Sequence, residues 1–135
     1  MEKKLSINIL TPYGSYLETS ADYLSVTTSF GVTGILPNHS PLIAKIEVSE
    51  LMIKNDNSTS IYAVSGGLIN VKEHSEVTIL ANAIENANEI DIERAKRAKE
   101  RAELRLLEDD ADVLRAKASL ARALNRISVY GHKNK

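Results

Sequence analysis

Between Leu68 and Tyr130 the chain contains neither glycine nor proline, while all three prolines and five of the six glycines lie before that stretch. A chain punctuated in this way is not one kind of structure throughout. Pro12, Pro37 and Pro41, with Gly14, Gly31, Gly34, Gly66 and Gly67, break the first half into short segments. From Glu89 to Ile127 the composition shifts to Ala, Leu, Arg, Lys and Glu, the residues that lose least on entering a helix. The expectation is a β-rich domain over residues 1–87 followed by a helical unit over residues 88–135.

The segments of the first half have strand period. Leu5-Ser6-Ile7-Asn8-Ile9 alternates apolar and polar residues, and Tyr23-Leu24-Ser25-Val26-Thr27-Thr28 is rich in β-branched side chains. Further strand segments are expected at 42–46, 50–54, 61–64, 68–71 and 76–80. The pairs Gly31/Gly34 and Pro37/Pro41 each bracket a connection, and Gly66-Gly67 reads as a turn because it fits no GxGxxG or Walker pattern. Many short strands with turn signals between them predict a β-sandwich or barrel. In the second half Ile92, Ala95, Ala98, Ala102 and Leu106 recur at helical spacing, and Val113, Ala116, Leu120, Leu124 and Ile127 do the same. Glu108-Asp109-Asp110 between them offers N-cap candidates for the second helix. The pattern predicts an antiparallel two-helix hairpin of about 18 residues per helix, with an Ala-rich seam that buries little area.

Several function classes lose support. With no cysteine there is no disulfide framework, thiolate nucleophile or thiolate zinc site, and the composition fits a reducing compartment. His39, His74 and His132 lack metal-ligand spacing and no Ser/His/Asp set suggests a triad, so neither a metal nor a catalytic residue is assigned. No run approaches the roughly 18 to 20 apolar residues of a membrane span, and Met1-Glu2-Lys3-Lys4 does not open a secretory leader. Residues 82–135 hold twelve basic and ten acidic side chains, an excess too small to argue for nucleic acid.

The arginines form the one chemically suggestive pattern. Arg94, Arg97, Arg101 and Arg105 fall at steps of three and four along one flank of the first helix, and Arg122 and Arg126 lie one turn apart on the second. Like charges at that spacing cost roughly 0.2–0.5 kcal/mol per pair unless something offsets them. Two readings stay open on composition alone. One is a solvated mixed-charge face. The other is a site where guanidiniums converge on an anion through bidentate hydrogen bonds.

The run Gly31-x-x-Gly34-Ile35-Leu36-Pro37-x-His39-x-Pro41-Leu42 resembles the signature of the epsilon subunit of bacterial F-type ATP synthases. So does Ser65-Gly66-Gly67 followed by Val77-Thr78-Ile79-Leu80-Ala81, and the resemblance covers essentially the whole chain. It implies a β-sandwich of about ten strands with a C-terminal helical hairpin, in a non-catalytic rotor subunit that contacts the gamma subunit and the c-subunit ring. The contact loop would carry Gly31, Gly34, Pro37, His39 and Pro41. Val32 departs from relatives that often place an acidic residue toward the c-ring. A second likeness is finer. Ile90-Asp91-Ile92-Glu93-Arg94-Ala95 is similar to the motif with which some members bind ATP on the folded hairpin. It implies an ATP site of Glu85, Ile90, Asp91, Arg94, Ala95, Arg101, Arg122 and Arg126, the last two aligned through a small deletion between the helices. ATP would then be a regulatory ligand, and no cofactor is required.

The resemblance further implies a hairpin that extends into the catalytic alpha/beta hexamer and inhibits hydrolysis. The subunit would be peripheral on the cytoplasmic face of a bacterial plasma membrane, reaching the membrane only through the complex. The alternative is a free-standing nucleotide-sensing module without a synthase partner, which a co-purifying gamma subunit would exclude.

Overall fold

A computed structural model describes residues 3–108 and 112–133. Eight strands form the first part: β1 Leu5–Thr11, β2 Gly14–Ala21, β3 Tyr23–Thr28, β4 Gly31–Ile35, β5 Leu42–Asn55, β6 Ser58–Val71, β7 Glu76–Ala81 and β8 Ile84–Asn86. Two helices follow, α1 Ile92–Leu106 and α2 Val113–His132. Hydrogen bonding orders the strands β2-β1-β7-β6-β5-β3-β4, with β8 on the free side of the first half of β6. All pairings are antiparallel except β1 with β7.

The two 14-residue strands make the sandwich. Along β5 the inward residues are Ala44 and Ile46, then Leu51 and Ile53, so the buried set changes from even to odd positions across Glu47-Val48. Along β6 they are Tyr62 and Val64, then Ile69 and Val71, with the change at Gly66-Gly67. The pairs Ile46↔Gly67 and Val48↔Ser65 place the two reversals side by side. Alternation in a strand has period two, so a change of parity turns the inward face over and carries each strand from one layer to the other. Counted by segment, the eight strands supply the expected ten. The enclosed core is aliphatic: Leu5, Ile7, Ile9, Leu24, Val26, Ile46, Leu51, Ile69 and Ile79 are essentially inaccessible.

Gly66-Gly67 is therefore not a turn, contrary to the sequence reading; it lies inside β6, with φ of 91° and 149°. Gly31 and Gly34 likewise belong to strand β4 rather than to a connection. Gly34 leaves room for the Tyr23 ring, since a Cβ there would stand 2.6 Å from the hydroxyl. β2 carries no clean alternation and β8 has only three residues, so neither announced itself.

The helices are 15 and 20 residues long and pack against one another. Their seam is built from alanines at seven-residue spacing, Ala95 and Ala102 on α1 and Ala116 and Ala123 on α2, all buried. Leu124, expected in the seam, is exposed. The α2 N-cap is Asp112, whose carboxylate accepts from the Arg115 amide at 3.1 Å. Glu108 is not the cap, and Asp109 and Asp110 lie outside the described residues.

The hairpin lies against the sandwich through α2. Val129 packs with Ala63, Ala87 and Ile90 in a small apolar cluster separate from the sandwich core. Around it, Asn125 Nδ2 donates to the carbonyls of Ser49 at 2.8 Å and Val64 at 3.4 Å. His132 Nδ1 meets Glu50 Oε1 at 2.6 Å, and Arg126 pairs with Glu85. With so little apolar area buried, these polar contacts form a large share of what holds the hairpin down. A neutral hydrogen bond is worth about 1 kcal/mol net. Asn125→Ala should therefore speed amide hydrogen exchange along α2 roughly five- to tenfold while β1 and β6 keep their protection. Unchanged α2 exchange would show that Asn125 does not secure the hairpin. Among the described residues, no helix is long and apolar enough to cross a membrane.

Candidate nucleotide site on the helical hairpin

The chain leaves the sandwich through a tightly specified joint. After β8 a 3-10 turn, Ala87–Glu89, is closed by a capping box: Asn86 Oδ1 accepts from Asn88 N at 2.8 Å, and Glu89 Oε1 accepts from Asn86 N at 3.3 Å. The Tyr16 hydroxyl, reaching over from β2, donates to Glu89 Oε1 at 2.9 Å and accepts from Asn86 N at 3.1 Å. Burial, and then the bond to Glu89, raise the Tyr16 pKa well above its ordinary value, so the hydroxyl stays protonated and donating at physiological pH. Ile90 turns inward into the Ala63/Val129 cluster, and Asp91 caps α1 by accepting from Arg94 N at 3.0 Å.

This joint places a cavity of about 390 Å³ between β8, the start of α1 and the flank of α2. Glu85, Glu89, Asp91, Arg94, Arg101 and Arg126 line it, with Arg126 paired to Glu85. Ala95 and Ala98 form part of the wall, and their small side chains leave the space open. An adjoining hollow of about 220 Å³ shares Ala98, Arg101 and Arg126 and adds Arg105, Ser119 and Arg122. There, Arg122 Nη2 donates to Ser119 Oγ at 3.1 Å. The larger volume falls within the range of about 300–1,000 Å³ typical of small-molecule sites. Along the combined groove the larger cavity holds charges of both signs, whereas the adjoining hollow is lined by arginines and, among the described residues, no carboxylate.

Of the residues singled out from sequence, Glu85, Asp91, Arg94, Ala95, Arg101 and Arg126 line the larger cavity and Arg122 the adjoining one. Ile90 lines neither; it is 6% exposed and packs beneath. Arg97 also stands apart from both cavities, although it shares the i, i+3 pattern. Sequence reasoning missed Glu89, Ala98 and Ser119 as lining residues, while Arg105, singled out by its spacing and not by the motif, lines the adjoining hollow. Asn86-x-x-Glu89 is a capping-box spacing that could have drawn attention to Glu89.

The second group of expected residues lies elsewhere. Gly31 and Gly34 sit in β4, and the Pro37–Pro41 turn is closed by His39 N donating to Leu36 O at 3.1 Å. His39 Nδ1 lies 2.6 Å from Ser40 O, and Asn38 N donates to Ser75 Oγ at 2.7 Å, tying the turn to the residue just before β7. What this region offers to solvent is apolar: Phe30, Val32 and Leu36 are 78%, 79% and 60% exposed.

Residues 4–87 match the beta-sandwich domain of the ATP synthase delta/epsilon chain, and residues 88–131 match its long alpha-helix domain. The chain belongs to the ATP synthase delta/epsilon family. An ATP synthase epsilon chain from Halalkalibacterium halodurans is 45% identical over 130 residues, spanning 94% of this chain and 97% of the relative. Among solved structures, a chain of the Euglena gracilis mitochondrial ATP synthase (OSCP/F1/c-ring) superposes with TM-score 0.79 at 18% identity. That match covers 95% of this chain and 81% of the other. A chain from the Tetrahymena thermophila mitochondrial ATP synthase, central stalk and c-ring, gives TM-score 0.60 at 14% identity, covering 99% and 98%. At those identities the structural likeness establishes the fold, and the epsilon relatives establish the family. The chain is a non-catalytic subunit of that complex.

Proposed function

We propose that the chain serves as the epsilon subunit in the central stalk of a bacterial F-type ATP synthase, with its hairpin as an ATP-sensitive brake on hydrolysis. The epsilon relatives and the central-stalk and c-ring assemblies among its structural neighbours support the placement. In this role the sandwich lies between the gamma subunit and the c-ring, on the cytoplasmic face of the membrane, and the rotor couples ion flow to ATP synthesis. The exposed Phe30, Val32 and Leu36 give the c-ring contact a largely apolar character.

One observation carries the switch. The cavity takes its wall from three elements: Glu85 from β8, Arg94 and Arg101 from α1, and Arg126 from α2. It exists only while the hairpin lies folded on the sandwich. A polyphosphate ligand held by both helices therefore binds one arrangement and not the extended one, and shifts the balance by that difference in affinity. Low ATP leaves the weakly held hairpin free to extend into the alpha/beta hexamer and oppose hydrolysis. High ATP keeps it folded.

Hydrolysis by assembled complexes, carrying either the full subunit or one cut after Ala87, tests this. The truncated complex should be severalfold more active at low ATP, and the gap should close as ATP rises. Equal rates at low ATP would end the brake reading. We place the unit boundary at residue 87, so the truncated chain should still unfold cooperatively and bind gamma; failure of either would move the boundary.

A further inference from the structure

The polarity of the groove says which way round a nucleotide lies in it, and one carboxylate beyond the matched motif is placed to read its uncharged end. Phosphates belong in the adjoining hollow, beside Arg101, Arg105, Arg122 and Arg126, because no carboxylate lines it among the described residues. The sugar or base end then faces Glu85, Glu89 and Asp91. Asp91 is engaged as the cap of α1, and Glu85 is paired with Arg126. Each of these engages one carboxylate oxygen, Asp91 Oδ1 and Glu85 Oε1. Glu89 stands out because two neutral donors, the Tyr16 hydroxyl and the Asn86 amide, fix its Oε1, while its second oxygen takes no hydrogen bond among the described residues. A carboxylate anchored through one oxygen and open at the other, in the wall of a cavity, is an oriented acceptor.

Resting on the nucleotide reading, we propose that Glu89 accepts a hydrogen bond from a donor on the nucleoside end of the ligand, with Tyr16 as the residue that positions it. The donor is an N–H of the base amino group or an O–H of the ribose. Because Glu89 also closes the capping box at the joint, a ligand bound there holds the hinge turn as well as the two helices. Tyr16 lies on β2, so the contact links the sandwich itself to occupancy of the hairpin site.

Calorimetry of the full chain with ATP, inosine triphosphate, 2′,3′-dideoxyATP and inorganic tripolyphosphate tests this. Glu89→Gln keeps an acceptor oxygen for Tyr16 and Asn86 but turns the open position into a donor. It should weaken ATP roughly tenfold, the loss of one charge-assisted hydrogen bond, and leave tripolyphosphate unchanged. Tyr16→Phe should shift the ATP-to-tripolyphosphate ratio the same way by a smaller factor. If the wild type already binds inosine triphosphate weakly and Glu89→Gln does not weaken it further, the donor is the base amino group. The same behaviour with dideoxyATP assigns the ribose. Unchanged ATP affinity in Glu89→Gln, or equal losses for ATP and tripolyphosphate, would overturn the proposal. A wild type that binds neither would overturn the nucleotide site as a whole. Unfolding midpoints of both variants accompany the titrations; should Tyr16→Phe fail to fold, Glu89→Gln decides alone.

Discussion

Replacing Arg126 with alanine should cost ATP affinity at least tenfold and, in the assembled synthase, lock the brake on. Arg126 borders both hollows of the groove, so its guanidinium is within reach of any phosphate chain laid along the seam. A hydrogen bond to a charged group is worth about 1.5–3 kcal/mol, which corresponds to roughly 10- to 150-fold in affinity. The same side chain pairs with Glu85, joining α2 to β8, so its loss also loosens the ligand-free hairpin. The two effects add in one direction. The folded state loses both its own ion pair and the ligand that favours it, and Arg126→Ala complexes should stay inhibited at ATP levels that release the wild type. Arg126→Lys, which keeps the charge but not the planar fork, should fall between. Arg97→Ala is the control, because Arg97 lies outside both hollows and should bind ATP like the wild type. Equal affinity in Arg126→Ala and wild type, or an equal loss in Arg97→Ala, would remove Arg126 from the site.

Gly67→Ala should remove most of the stability of the sandwich. A Cβ at this position would stand 2.1 Å from the Leu80 carbonyl oxygen and 3.0 Å from Ala81 Cα, and the backbone already holds φ at 149°. Both obstacles are main-chain atoms of β7, paired to β6 through Gly67↔Ala81 and Leu68↔Leu80, so relief requires opening that ladder. Overpacking costs about 1–3 kcal/mol, and backbone strain at a disfavoured φ a further 1–3 kcal/mol. Together they approach the roughly 5–15 kcal/mol that holds a small domain folded. Thermal unfolding should shift down by about 15 °C or more. Gly131→Ala, in open space on α2, should be neutral or slightly stabilising by comparison. A Gly67→Ala protein that melts with the wild type would mean that β6 and β7 separate at little cost.

The division of the chain into a β part and a helical part was legible because glycine, proline and hydrophobic period all change near the same place. The joining of segments 42–46 and 50–54 into β5, and of 61–64 and 68–71 into β6, was not. A parity change at Glu47-Val48 looks, in one strand alone, like the end of that strand; only the facing reversal at Gly66-Gly67 shows that both continue. The glycines misled for the same reason, since positive φ serves a bend within a paired strand as well as a turn. Arginine spacing found the groove because a helix face is periodic. It could not separate Arg97 from its neighbours, because the direction of the groove depends on where α2 lies. Ile90 sits in the motif by sequence and under the site by packing: the stretch 90–91 sends one side chain into the apolar cluster and the next out as a cap. Glu89 was hidden because its anchor, Tyr16, is 73 positions away.

The parallel pairing of β1 with β7 sets an order of events during synthesis. Ser6 meets Glu76 and Leu10 meets Leu80, so the first strand made acquires its second neighbour only when the last long strand has left the ribosome. Until then β1 has β2 alone, and its opposite edge stands open to any extended chain nearby. Non-local pairings of this kind close slowly, whereas the α1–α2 hairpin depends on neighbours within some forty residues and can coil as it emerges. The helical arm is made after every strand of the platform it rests on, and a nascent chain that stalls between β6 and β7 presents an unpaired strand edge to quality-control chaperones rather than a half-working subunit.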